Sequence, residues 1–163
     1  GDKYYNTCYV LRGGELVAKY RKMRPTEAEL RAGITPGDRP CVFETEYCKV
    51  GILICADCLD DEVVRATAPR CELVFLPISA PSPGHPRVSG HPVSQRIASS
   101  YGVAVAKVAK IWASGGARAG SKSAVVTPRS LVEARSDSEE ELLKVELLKR
   151  RGSWIVRAVN VDS

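Results

Sequence analysis

The chain has 163 residues, 44% hydrophobic, 26% charged and 6% aromatic, with 24 Lys and Arg against 19 acidic side chains for a net charge of +5. That length favours one domain over 1–163 with a core of its own, and these fractions exclude a disordered chain, a fibre or a collagen-like repeat. No apolar run approaches the roughly 18 residues that span a bilayer, and the scattered basic residues lack the interleaved aromatics of a nucleic-acid surface.

Taken in chain order, Tyr5 to Leu11 and Glu15 to Tyr20 read as two strands. Gly13-Gly14 between them is a tight-hairpin signal, because both residues tolerate positive φ. Pro25 and Thr26 then open a short helix over Glu27 to Ala32 that Gly33 closes, and Thr26 with Glu29 has capping-box spacing. Cys41 to Thr45 and Lys49 to Cys55 read as a second pair of strands. The latter is almost continuously apolar, as a buried central strand is.

Asp60 to Ala68 is predicted helical, with an acidic first turn and Pro69 to end it. Leu73 to Leu76 is a strand, Pro77 to Pro92 a proline-rich loop, Val93 to Tyr101 a helix stopped by Gly102, and Val103 to Val108 a strand. Ala113 to Ser121 is Gly- and Ala-rich and reads as mobile. Ser123 to Val126 and Leu131 to Ala134 form a hairpin. Ser136 to Arg151 fits two patterns: its acidic start and basic end suit a helix, while Leu143, Val145 and Leu147 alternate as in a strand. Strands alternating with helices make this an α/β domain.

All six cysteines, Cys8, Cys41, Cys48, Cys55, Cys58 and Cys71, fall in the first 71 residues, within or beside apolar runs. That placement predicts reduced thiols in a cytoplasmic protein rather than a secreted disulfide scaffold. Cys55 ends a buried strand just before a helix start. A thiol so placed, near a cation, can serve as a nucleophile, with the backbone N–H of Ala56 turned to steady an oxyanion. Against this stands an inert core thiol, which the strand taken alone favours. Cys55 and Cys58 also spell Cys-x-x-Cys. That motif suits a redox dithiol or half of a metal site completed by Cys48, Cys71, His85 or His91, although the two histidines are spaced too widely for a zinc finger. Lys22 ends a strand within the basic run Arg21 to Arg24, which by itself reads as solvated surface.

Taken together, Tyr5-Asn6-Thr7 followed by a Gly-Gly hairpin and Lys19-Tyr20-Arg21-Lys22, then Pro36-Gly37-Asp38, Gly51-Ile52-Leu53-Ile54-Cys55-Ala56-Asp57, Leu73 to Pro77 and Ser123 to Pro128, resemble the nitrilase, or carbon–nitrogen hydrolase, superfamily. The resemblance implies an α-β-β-α sandwich of the nitrilase type, incomplete at its N-terminus. It implies Cys55 as nucleophile, forming a thioester with a small-molecule amide, carbamoyl compound or nitrile. Lys22 and the Ala56 N–H would hold the oxyanion, Asp57 would neighbour and bind the substrate, and Glu29 would be a second glutamate orienting the site. It implies a homodimer or higher homo-oligomer and no cofactor, metal, nucleic acid or membrane.

The family's general-base glutamate belongs upstream of the lysine, where this chain offers only Asp2 and Glu15. Gly1 at the start and Met23 as the one methionine set the expectation of a truncated chain. Asp60-Asp61-Glu62 and Cys58 depart from the family pattern, as does the lack of an asparagine near Ala109 and Lys110. A non-catalytic binding or assembly module is therefore the competing expectation.

Overall fold

The first hairpin turns on Gly13 and Gly14, at φ +59° and +86°, as a two-residue turn of matching twist demands. It joins β1 (Thr7–Arg12) to β2 (Glu15–Arg21), antiparallel, with a register shift at Val10 and Leu11. The computed structural model describes residues 2–80, 88, 90–111, 113–114, 117–118 and 120–159. His85 and half of the predicted Pro77 to Pro92 loop lie outside them.

Helix α1 (Glu27–Arg31) follows, capped by Thr26 in a complete capping box with Glu29. Next come β3 (Cys41–Glu44) and β4 (Lys49–Ile52). β4 stops short of the predicted Cys55: the chain leaves the sheet after Ile52 and enters a 3-10 turn over Cys55–Leu59. Helix α2 (Asp61–Thr67) is capped by Asp60, whose carboxylate accepts from the N–H groups of Glu62 and Val63. Pro69 does not end the helical path at once, because it sits early in a further 3-10 turn, Ala68–Arg70, where a missing N–H costs nothing.

β5 (Leu73–Ile78) runs two residues beyond the predicted end and includes Pro77. The proline is tolerated because β4 pairs with β5 only as far as Phe75, so no neighbour on that side requires its N–H. Helix α3 (Pro92–Tyr101) begins on Pro92 and ends on Gly102 in the left-handed conformation. β6 (Ala104–Ala109) comes next, then a two-rung ribbon of β7 (Ala113–Ser114) and β8 (Ala117–Arg118) within the stretch read as mobile. β9 (Ala124–Val126) and β10 (Leu131–Glu133) form the predicted hairpin.

The ambiguous 136–151 stretch resolves as a strand at its end. β11 (Val145–Arg150) pairs with β12 (Ser153–Ala158) across Arg151 and Gly152, both at positive φ. The alternation of Val145 and Leu147 thus prevails over the helix-like charge gradient, since a hairpin supplies the cross-strand partners.

Six strands form one sheet in the order β10-β9-β6-β5-β4-β3, with β4, β5 and β6 parallel. One face buries Val74, Leu76, Ile78 and Val105 against Val63 and Val64 of α2 and Ile97 and Ala98 of α3. The approach is close enough that a Cβ on Gly51 would lie 2.8 Å from Thr67 Cγ2 and 2.9 Å from Cys71 Sγ. On the other face, Ile52 is covered by Tyr20, Cys8 and Val10 of the β1–β2 hairpin. This is the mixed α/β architecture expected, with helices on one face of the sheet and β-ribbon on the other.

Candidate active site

The alternation of β2, carried one residue past its end, sends Tyr20 and Lys22 inward, at 1% and 2% exposure, while Arg21 between them turns out to lie over the Tyr5 ring at 3.8 Å. The Lys22 backbone is gripped on both sides: its N–H donates to the Asn6 carbonyl at 2.8 Å, and its carbonyl accepts from the Gly37 N–H at 2.8 Å. Glycine is required at 37, because a Cβ there would run into the Arg21 carbonyl.

The Lys22 ammonium donates to Glu29 Oε2 at 2.6 Å. The same carboxylate accepts from the Thr26 N–H at 2.7 Å and, through Oε1, from Asn6 Nδ2 at 2.7 Å. Burial alone would raise the Glu29 pKa, but these donors from Lys22, Thr26 and Asn6 outweigh it and hold the carboxyl at about 2. The capping box and the lysine pairing therefore coexist in one side chain.

Cys55 opens the 3-10 turn with φ +47°, a left-handed backbone that a β-carbon makes costly by about 1–2 kcal/mol. It is half-buried and faces a cleft of about 820 Å³ whose lining includes Lys22, Glu29, Asn6, Cys8, Ser79 and Lys110. Three of the five expected site residues, Cys55, Lys22 and Glu29, thus meet at one cleft. Ala56 is the next residue of the same turn but is not part of that lining.

Asp57 is placed differently from the expectation that it would neighbour substrate. It is fully buried beside the cleft, and its carboxylate is spent on the scaffold. Oδ2 accepts from Tyr20 Oη at 2.8 Å and the Ile54 N–H at 2.9 Å, and Oδ1 accepts from the Arg24 N–H at 2.7 Å. Burial raises its pKa, opposed by those donors and by the Lys22 charge. Burial and the neighbouring Asp57 charge likewise raise Tyr20. Asp57 so ties the segment after Lys22 to the turn that carries Cys55. Arg24 adds ion pairs to Asp60 and Glu62, and Asp61 pairs with Arg96, which accounts for the acidic run at the start of α2.

The second cysteine of Cys-x-x-Cys is a core residue. Cys58 is 1% exposed and packs with Val63 and Ile97, and burial, followed by the nearby Cys55 and Asp57, pushes its thiol up to about 12. Among the described residues no three potential ligands gather as a metal site. His91 Nε2 is instead 2.8 Å from Glu133.

The sequence profile of the carbon–nitrogen hydrolase family matches residues 1–155. This chain belongs to that family. Omega-amidase NIT2-A of Xenopus laevis is 30% identical over 158 residues, covering 89% of this chain and 56% of its own length. Human omega-amidase NIT2 is 39% identical over 85 residues, covering 46% of this chain and 31% of its own.

Among solved structures, a cysteine-to-serine mutant of the Nesterenkonia AN1 amidase, from the nitrilase superfamily, superposes with a TM-score of 0.62 at 28% identity. The match covers 71% of this chain and 44% of the amidase. In another structure of that amidase, at 29% identity and the same TM-score of 0.62, the acetamide moiety of fluoroacetamide is added covalently at the active-site cysteine. The chain spans about half or less of the length of these relatives.

As a carbon–nitrogen hydrolase family member, the chain carries two contacts that sequence reading missed, Asn6 on Glu29 and Tyr20 on Asp57. The Tyr20 contact is signalled by β2 alternation, which places it on the Lys22 face. Asn6 stands out in the sequence only as part of Tyr5-Asn6-Thr7 in the family resemblance, and nothing local signals its contact, which bridges 23 positions.

Proposed function

We propose that this domain contributes the nucleophile and the oxyanion cation for hydrolysis of a small-molecule amide. The observation that carries the reading is the left-handed Cys55 opening onto the same cleft as the buried Lys22 ammonium. In the forward step the thiol gives up its proton and Cys55 Sγ attacks the amide carbon. The carbonyl oxygen gains the negative charge, which Lys22 at the cleft and, by family likeness, the Ala56 N–H would stabilise. Collapse expels the protonated nitrogen as ammonia and leaves a thioester on Sγ. Water then adds to the thioester carbon, and the carboxylic acid leaves with the thiol restored.

Glu29 is the one carboxylate among the described residues lining the cleft. At about 2 and bonded to three donors it is a weak proton acceptor, so it serves to orient and neutralise Lys22. The thiol proton in this reading goes to a base that the described part of the cleft does not supply. That same observation favours a second reading, in which the domain binds amides and is acylated slowly or not at all.

Incubation with fluoroacetamide followed by peptide mass spectrometry, together with ammonia release from butyramide, tests both. Label confined to Cys55 and lost in Cys55→Ala supports the nucleophile, and ammonia release separates the hydrolase from the binding module. Label elsewhere, or ammonia release undiminished in Cys55→Ala, refutes the assignment. The free thiols at all six cysteines support a reducing, cytoplasmic setting. Self-association is proposed by family likeness and is checked by light scattering.

A further inference from the structure

The segment before β1 is held to the site through its backbone. The Tyr4 carbonyl accepts from the Thr35 N–H at 2.7 Å, Tyr4 bridges to Ile34, and the Asn6 carbonyl accepts from the Lys22 N–H at 2.8 Å. Asn6 is thereby fixed between the end of β2 and helix α1. Its side chain spans the remaining gap, with Nδ2 2.7 Å from Glu29 Oε1.

We infer that Asn6 is a positioning residue that locks the ionised Glu29 carboxylate onto Lys22, so that the ammonium stays aimed at the cleft that Cys55 faces. This rests on the proposed use of that cleft. A carboxylate offers only acceptors, so an asparagine opposite it must present its NH2 group. Without that donor, Oε1 loses its partner and the carboxylate is free to swing about its last torsion, which is broad and soft. Glu29 then spends part of its time off Lys22. Glu29 is in contact with Lys22 just past β2, Asn6 and the Thr26 N–H, and the other polar or titratable groups lining its cleft are Thr7, Cys8, Cys55, Ser79 and Lys110.

The test titrates the Glu29 side-chain carboxyl by carbon-detected NMR in the intact 163-residue chain. From its starting point near 2, Asn6→Ala is expected to raise the midpoint by about one pH unit. Asn6→Asp is expected to raise it further, because a second carboxylate faces the first. Asn6→Ser, which keeps a short donor, is expected to fall between wild type and Asn6→Ala. This ranking distinguishes positioning from simple loss of packing, in which Asp would resemble Asn.

A Glu29 midpoint that is the same in wild type, Asn6→Ala and Asn6→Asp, with each variant folded by its amide spectrum, overturns the inference. If the variants do not fold, Asn6→Ser and Asn6→Gln carry the same comparison. The amidase reading is judged separately by fluoroacetamide labelling of wild type. Failure of labelling with an intact titration ranking sinks that reading and leaves the Asn6–Glu29 lock standing. Normal labelling with an unmoved midpoint does the opposite.

Discussion

Replacing Asp57 by Asn changes almost no volume, yet it is expected to be among the most damaging substitutions near the site. The carboxylate is fully buried and accepts three hydrogen bonds, two through Oδ2 and one through Oδ1. An amide can present its oxygen to only one of those two positions. With oxygen kept at Oδ2, the new NH2 faces the Arg24 N–H, so one bond is lost and two donors oppose each other at a side chain with no solvent exposure. An unsatisfied buried donor costs about 1–3 kcal/mol, and each retained bond loses its charge assistance, roughly 1 kcal/mol apiece. Relief from burying a negative charge returns about 1–2 kcal/mol.

The net loss for Asp57→Asn is therefore about 2–3 kcal/mol. In a chain of this size that lowers Tm by roughly 5–10 °C. Asp57→Ala, which orphans all three donors, is expected to cost about 4 kcal/mol or more, and Tyr20→Phe, which removes one donor, about 1–2 kcal/mol. Thermal and urea unfolding of the three variants measures the series. An Asp57→Asn protein melting within 1 °C of wild type, or Tyr20→Phe as damaging as Asp57→Ala, refutes the assignment of Asp57 as the tie between the two arms.

Glu29 is held at about 2, below its unfolded value, so its contribution is fully present above about pH 4.5 and is lost as pH falls through 2. With the side chain 24% exposed, that contribution is about 1–2 kcal/mol, and acid unfolding of Glu29→Gln should show a correspondingly shallower pH dependence. Lys107 is buried in β6, donates to the Gly90 carbonyl at 2.8 Å, and is pushed down to about 8 by burial. Between pH 8 and 10.5 the unfolded chain binds a proton there that the folded chain does not. The stability of wild type relative to Lys107→Met should thus rise by about 2 kcal/mol across that window, and a flat difference would contradict the burial. Gly37→Ala forces a methyl group into the Arg21 carbonyl, so we expect a loss of about 2 kcal/mol by denaturation together with slower fluoroacetamide labelling of Cys55.

Much of this arrangement was legible in the sequence because it obeys local rules. The Gly13-Gly14 turn, the Thr26–Glu29 box and the apolar run into Cys55 each follow from torsions or periodicity within a few residues. Lys22 and Cys55 could be linked only through family likeness, because what brings them together is the Asp57 carboxylate reaching across 33 positions to Arg24. The place of Asp57 was hidden for a related reason. An acidic residue two places after a candidate nucleophile reads as part of the same site, whereas the tight turn directs its side chain into the interior. The β11–β12 hairpin was half visible: Leu147 alternates as strands do, but its partner strand around Trp154 supplied the deciding pairing. The left-handed Cys55 left no mark, since cysteine has no preference for that conformation.

The Asp57 bridge also sets an order of events during folding. The β1–β2 hairpin closes through contacts a few residues apart, a microsecond process, while the parallel β4–β5–β6 core must wait for loops of 20 or more residues to find their register. Lys22 belongs to the first unit and Cys55 to the second. Their cleft therefore comes into being only when the two units dock and Arg24 reaches Asp57. After rapid dilution from urea, labelling competence at Cys55 should recover with the slowest phase, lagging behind the return of backbone circular dichroism.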